Sequence, residues 1–218
     1  MAYVARSAAD WSSWRGSTRS PDWVAPHGGN QLAALMEYER RAVRITHISP
    51  NLVPGLLQTR GYARSIMISG NMPPDDADQR TDVRIARQQV LVGRRPVAFV
   101  AVIGEMALRY PPCHAEVMIE QLRHLLAMSQ RPNIEIRLVP LALGRYSLAL
   151  EGQFIFLELQ RDNPVVHAES CRSVSMLTDQ RTVGRYREAA DTILADSMDA
   201  HETAKRVAEM ASDLEAQA

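Results

Sequence analysis

PVAFVAVIG, residues 96–104, is a continuous apolar run bounded by proline and glycine. A half-exposed strand would alternate apolar and polar residues; an unbroken run is how a strand covered on both faces reads. Downstream, residues 114–130 place Met118, Leu122, Leu125 and Leu126 at helical spacing, and Pro132-Asn133 ends that helix. IEIRLV (134–139) then alternates as a second strand. Strand, helix, strand is the pattern of a βαβ crossover, right-handed if the two strands are parallel. Two further strands, 153–159 and 165–169, face each other across Arg161-Asp162-Asn163-Pro164 and predict a hairpin. Upstream, 31–42 reads as a helix, VRITHI (43–48) as a half-buried strand, and 58–67 as a helix. Pro73-Pro74-Asp75-Asp76 carries the proline and early carboxylates of a helix start. Residues 181–218 read as helices, with Val183, Tyr186, Ile193 and Leu194 on one stripe and Val207, Ala211 and Leu214 on another. The expected fold is α/β: a single mixed sheet flanked by helices, in a core of residues 31–180, with a C-terminal helical segment packed on it.

Composition narrows the function classes. The chain has 218 residues, 46% hydrophobic and 23% charged, which suits a soluble domain with a real core. Lys+Arg and Asp+Glu are both 25. A dedicated nucleic-acid binder carries a basic excess to neutralise phosphates, so direct DNA contact by this chain is not expected. Of the basic residues only Lys205 is lysine. Two cysteines, Cys113 and Cys171, are too few for a disulfide scaffold or a four-ligand zinc site. The longest apolar runs fall far short of the roughly 20 residues of a membrane span, and the amino terminus lacks a signal-peptide core, so a cytoplasmic protein is expected. Residues 1–30 hold Trp11, Trp14 and Trp23 among Ser, Gly, Pro and Arg. They read either as a flexible arm or as an arm whose tryptophans dock on the domain or a partner subunit.

Nucleotide-cradling loops, common metal motifs and hydrolase elbows are absent from the sequence, and no cofactor is expected. Cys113-His114 is a thiol beside an imidazole, but adjacent residues seldom face one another, so packing is the plainer reading. His47 and His167 lie on strands, where a lone histidine is usually a satisfied, half-buried residue. Arg80, Arg84, Arg87, Arg94 and Arg95 read as a solvated basic face laced to Asp75, Asp76 and Asp78, or as a phosphate or partner site. Glu105 and Glu169 each follow a strand. In open α/β sheets ligands sit beyond the carboxyl ends of parallel strands, so these two carboxylates and Arg109 would share one mouth. There they would bind a cation or serve as acid and base. Alternatively, each caps a helix or pairs with an arginine.

LVPGLLQTRGYAR (52–64) resembles the signature of a domain of unknown function common in actinobacteria, found after the Xre-type helix-turn-helix of transcriptional regulators. MEYERRAVRI, RIARQQVL, EMALRYP (105–111), the 118–141 stretch, GQFIFLEL (152–159) and VVHAES (165–170) follow in the same order, so the resemblance spans about Leu32 to Ala208. It implies a regulatory half that binds an effector or a small partner protein. Positions matching the recurrent residues are Pro54, Gly55, Gln58, Tyr62, Glu105, Leu108, Arg109 and Glu169. The first 30 residues cannot supply a helix-turn-helix. The chain opens on Met and reads as complete, which favours a stand-alone sensor or an enzyme over a truncated repressor.

The leading expectation is a binding module that holds a small metabolite or small partner protein in a crevice lined by Gln58, Tyr62, Glu105, Arg109 and Glu169. Ligand-dependent ordering of the VPGLLQT segment would transmit occupancy. The alternative is a cofactor-independent cyclase, isomerase or transferase with Glu105 and Glu169 as acid and base. No metal site and no membrane contact are expected, and a homodimer is allowed.

Overall fold

Strand β3 (Ala98–Gly104) is buried along its central five residues, as its unbroken apolar run requires. In the computed structural model, which describes residues 23–26, 29–170 and 173–217, it lies between two parallel neighbours. On one side is β2 (Ala42–Ser49), on the other β4 (Ile134–Val139). Helices α2 (Arg60–Ser69), α3 (Pro74–Arg87) and the short α4 (Gln89–Val92) connect β2 to β3. Helices α5 (Glu105–Arg109) and α6 (Ala115–Ser129) connect β3 to β4, which completes the βαβ unit.

The other half of the sheet is antiparallel. β5 (Phe154–Leu159) pairs with β2, and β6 (Val165–Glu169) pairs with β5 as the expected hairpin. The sequence reading did not foresee β7 (Ser173–Leu177), which continues the meander beside β6. β1 (Trp23–Pro26), from the arm, adds an edge strand on β7; proline is tolerated at such an edge because it forfeits no central ladder bond. Residues 1–22, with Trp11 and Trp14, and Cys171 lie outside the described residues. The strand order is β1-β7-β6-β5-β2-β3-β4.

Helices cover both faces, and this corrects one expectation. β2 is not half-buried: Ile45 to Ser49 are all buried. The polar residues Thr46, His47 and Ser49 are buried along with Ile45 and Ile48, because helices cover both faces of the strand. On one face Ile45, Phe99, Ala101, Ile136 and Leu157 pack with Leu35 of α1 (Gly29–Arg41), Tyr62 of α2 and Leu122 of α6. On the other face Ile48, Val100, Phe154 and Phe156 pack with Val183, Ala190 and Ile193 of α7 (Gln180–Asp196). The Arg187 guanidinium sits 4.8 Å over the Phe156 ring.

The second edge of the sheet is sealed by the C-terminal segment. The Met198 N–H donates to the Leu138 carbonyl at 2.8 Å, and the Leu138 N–H donates to Thr203 Oγ1 at 3.0 Å. Thr203 belongs to α8 (Ala200–Glu215), whose first turn is fixed by a capping box between Asp199 and Glu202. Backbone groups on β4 that would otherwise invite another strand are therefore occupied.

Candidate functional site

The signature segment 52–59 is held by side chains from three directions. The Gln58 amide donates to the Val53 carbonyl at 2.7 Å, and its oxygen accepts from Arg84 Nη1 at 2.9 Å. Gln121 of α6 accepts from the Thr59 N–H at 2.7 Å and donates to the Leu57 carbonyl at 2.8 Å. Gln88 donates to the Gln58 carbonyl at 2.6 Å. The segment forms only one 3-10 turn, Gly55–Leu57, with the Leu57 N–H donating to the Pro54 carbonyl at 2.8 Å; its other buried backbone groups need side-chain partners, and three glutamines supply them. The Tyr62 ring is fully buried, and its hydroxyl accepts from the Val53 N–H at 3.3 Å. Burial pushes its pKa up to about 12, against the backbone bond that lowers it. Gln58 and Tyr62 thus hold the loop from within.

Glu105 opens α5 at the end of β3 and is 4% exposed. One carboxylate oxygen accepts from Arg109 Nε at 3.0 Å and Nη2 at 2.7 Å, while the other accepts from the Leu141 N–H at 3.0 Å. Arg206 of α8 stands 3.8 Å away. Burial raises the Glu105 pKa, but the Leu141 N–H and the two guanidinium groups outweigh it, and the group is held below the ordinary carboxylate value.

Glu169 lies elsewhere. β6 runs in the same direction as β3, so both residues are at the same end of the sheet, as expected. Yet β5 and β2 intervene, and three strand spacings put the two backbones about 14 Å apart. Five expected residues therefore do not line one crevice. Gln58 and Tyr62 lie inside the core, Glu105 and Arg109 form one ion pair, and Glu169 stands apart.

Glu169 lines a cleft of about 460 Å³ beyond the ends of β5 and β6. Phe154 and Tyr186, edge to face at 4.9 Å, give it an apolar side together with Ala168 and Ala189. Glu151, Gln153, Ser175 and Arg185 contribute polar groups. Gln153 donates to Glu169 Oε2, and His167 Nδ1 lies 3.6 Å from Oε1. Gly152, at φ +140°, turns the chain into β5 in a conformation that other residues resist, and this sets Glu151 and Gln153 on the cleft wall. The sequence reading missed these residues. The Glu151-Gly152-Gln153 turn was the available signal, but Tyr186 reads from periodicity as core.

The basic face also differs from expectation. Arg87 is buried against Glu39 of α1, and Arg84 is turned inward to Gln58. Burial and the Arg87 charge lower the Arg84 pKa, and the Glu169 charge acts in the opposite sense. Asp78 pairs with Arg64 at 2.7 Å, and Asp82 with Arg60, both on the neighbouring α2. His47, Ile155 and His167 stand side by side across β2, β5 and β6. Burial, then Arg87, then His167 depress the His47 pKa to about 3. Burial pushes the Cys113 thiol up to about 11, which argues against a nucleophile there. Among the described residues no group of three or more His, Cys, Asp or Glu is placed to hold a metal, and no helix is long and apolar enough to cross a membrane.

A family model described as "Domain of unknown function (DUF5753)" matches residues 32–209. The chain belongs to the DUF5753 family. The match takes in the whole sheet from β2 to β7 and reaches into α8, so the glutamine-clamped segment and the cleft both belong to the DUF5753 domain. No curated protein matches the sequence. Among solved structures, one similar chain is TrmBL2, described as an archaeal chromatin protein with a novel mode of DNA binding. It is 10% identical, with a TM-score of 0.41, over 88% of this chain and 57% of its own length. This chain thus spans a little over half of that protein, and the likeness is too loose to carry an argument about the DUF5753 domain.

Proposed function

We propose that the domain is a regulatory-type binding module that holds a small metabolite in the cleft beyond β6. The observation that carries this reading is the cleft itself. Its volume of about 460 Å³ falls within the range of small-molecule sites, and it joins an apolar side to a few convergent polar groups. The transcriptional-regulator setting implied by the resemblance suits such a module, and so does the balanced charge, which gives no electrostatic footprint for DNA.

The enzyme reading with Glu105 and Glu169 as a working pair has less support. The two carboxylates have separate partners, Arg109 for Glu105 and Gln153 for Glu169, and β5 and β2 lie between the strands that carry them. Glu105 is moreover held ionised by Arg109 and Arg206, so it is a poor proton donor.

Native mass spectrometry of gently purified protein tests the module. The expected result is a bound mass that denaturation releases unchanged and that Glu169→Gln loses. Protein that is empty, is unmoved by a metabolite library and retains only a protein partner would overturn the metabolite reading.

A further inference from the structure

The lining of the cleft is chemically two-sided. Glu169, at the end of β6, is oriented before any ligand arrives, because Gln153 donates to one of its oxygens. Glu151, from the turn before β5, lines the same cleft. From the helix side comes Arg185, which is exposed and makes no ion pair with any described residue. Arg109, Arg84 and Arg87, by contrast, are already engaged by Glu105, Gln58 and Glu39. Next to Arg185, Tyr186 packs edge to face on Phe154, and both rings line the same cleft as an apolar surface.

We infer that the cleft takes a small zwitterion, an α-amino acid with a modest apolar side chain. Its ammonium group would be held by Glu169 and Glu151, its carboxylate by Arg185, and its side chain by the Phe154–Tyr186 surface. This inference rests on the metabolite-site reading above and adds the ligand class. A guanidinium receives a carboxylate through a planar, two-pronged contact, and a carboxylate receives an ammonium group through charge-assisted hydrogen bonds. A ligand with one charge of each sign satisfies both walls, whereas a simple amine or a simple acid leaves one wall unmatched.

Binding of matched probes to the full chain, followed by the backbone amide signals of Ser173, Ser175 and Ala189, tests this. The probes are leucine and valine, the amines that lack their carboxylate, and the acids that lack their ammonium group. The expected result is binding of the amino acids at least tenfold tighter than of either analogue. Glu169→Gln should weaken amino acids and amines alike. Arg185→Gln should weaken the amino acids and abolish their advantage over the amines. Both positions are solvent-accessible, and circular dichroism verifies that each variant is folded. Tight binding of the acids without any ammonium requirement would overturn the ligand class and leave the cleft as a metabolite site. Cleft signals that no probe moves, in protein that also retains no metabolite, would overturn both readings.

Discussion

Arg87 of α3 grips Glu39 of α1 through two hydrogen bonds, from Nε at 3.1 Å and Nη2 at 2.6 Å. Both side chains are buried, at 8% and 1% exposure. The pair pins the first helix to the connection between β2 and β3. Its two arms satisfy each other, so what matters energetically is leaving one of them alone.

Removing one partner strands a buried charge, which typically costs roughly 3–5 kcal/mol, whereas replacing both with apolar groups is often near neutral. Glu39→Gln and Arg87→Met should each destabilise the domain by that order. The double variant Glu39→Leu/Arg87→Met should recover much of the loss. Urea denaturation decides; single-variant losses under about 1 kcal/mol would show the pair to be energetically unimportant.

Acid should weaken the fold through His47. The folded chain keeps its imidazole neutral down to about pH 3, while the unfolded chain takes up a proton near the ordinary value of 6.5. Between those values the unfolded state binds the extra proton, so stability falls as pH falls, by at most about 1.4 kcal/mol per pH unit. Glu105 has the same sign: its depressed pKa contributes stability at neutral pH that is lost on stronger acidification. Unfolding free energies at pH 7 and pH 5 should differ more for the native sequence than for His47→Gln. Equal slopes would remove His47 as the origin.

Gly104 closes β3 where the chain after β2 crosses it. A Cβ there would stand 2.2 Å from the Pro50 carbonyl oxygen, a backbone atom that cannot swing aside. Gly104→Ala should cost roughly 1–3 kcal/mol or more through forced backbone movement. Gly184, whose added Cβ would meet nothing within 4 Å, is the control: Gly184→Ala should leave the melting temperature unchanged or raise it. Similar melting temperatures for the two variants would contradict the close approach.

Cys113 should be slow toward thiol reagents. Burial raises its pKa from 9.0 to about 11, which leaves about a hundredfold less thiolate at neutral pH. In a Cys171→Ser background, alkylation of the native protein should lag behind that of the urea-unfolded chain by this order. Comparable rates would return Cys113 to consideration as a nucleophile.

The sequence by itself determined the elements and their class. The apolar run at 96–104, bounded by proline and glycine, can only be covered on both sides, and the helix and strand after it close a crossover. The hairpin across 161–164 was legible because two short, largely apolar strands flank a turn-forming tetrad. Local periodicity is written along the chain, so it survives without knowledge of the fold. β7 was not legible, because SVSML interleaves its buried Val174 and Met176 with serines that read equally well as a loop. The candidate site was decided by tertiary structure. Glu105 and Glu169 carry the same local signature, a carboxylate after a strand, yet one is sealed by Arg109 and Arg206 and the other opens on a cleft. The difference lies in strand order and in where α7 and α8 come to rest. Likewise, the arginines of α3 look solvated in sequence, and only the packing of α1 turns Arg87 inward. Which charges meet depends on contacts between residues dozens of positions apart, and nothing in the local pattern encodes them.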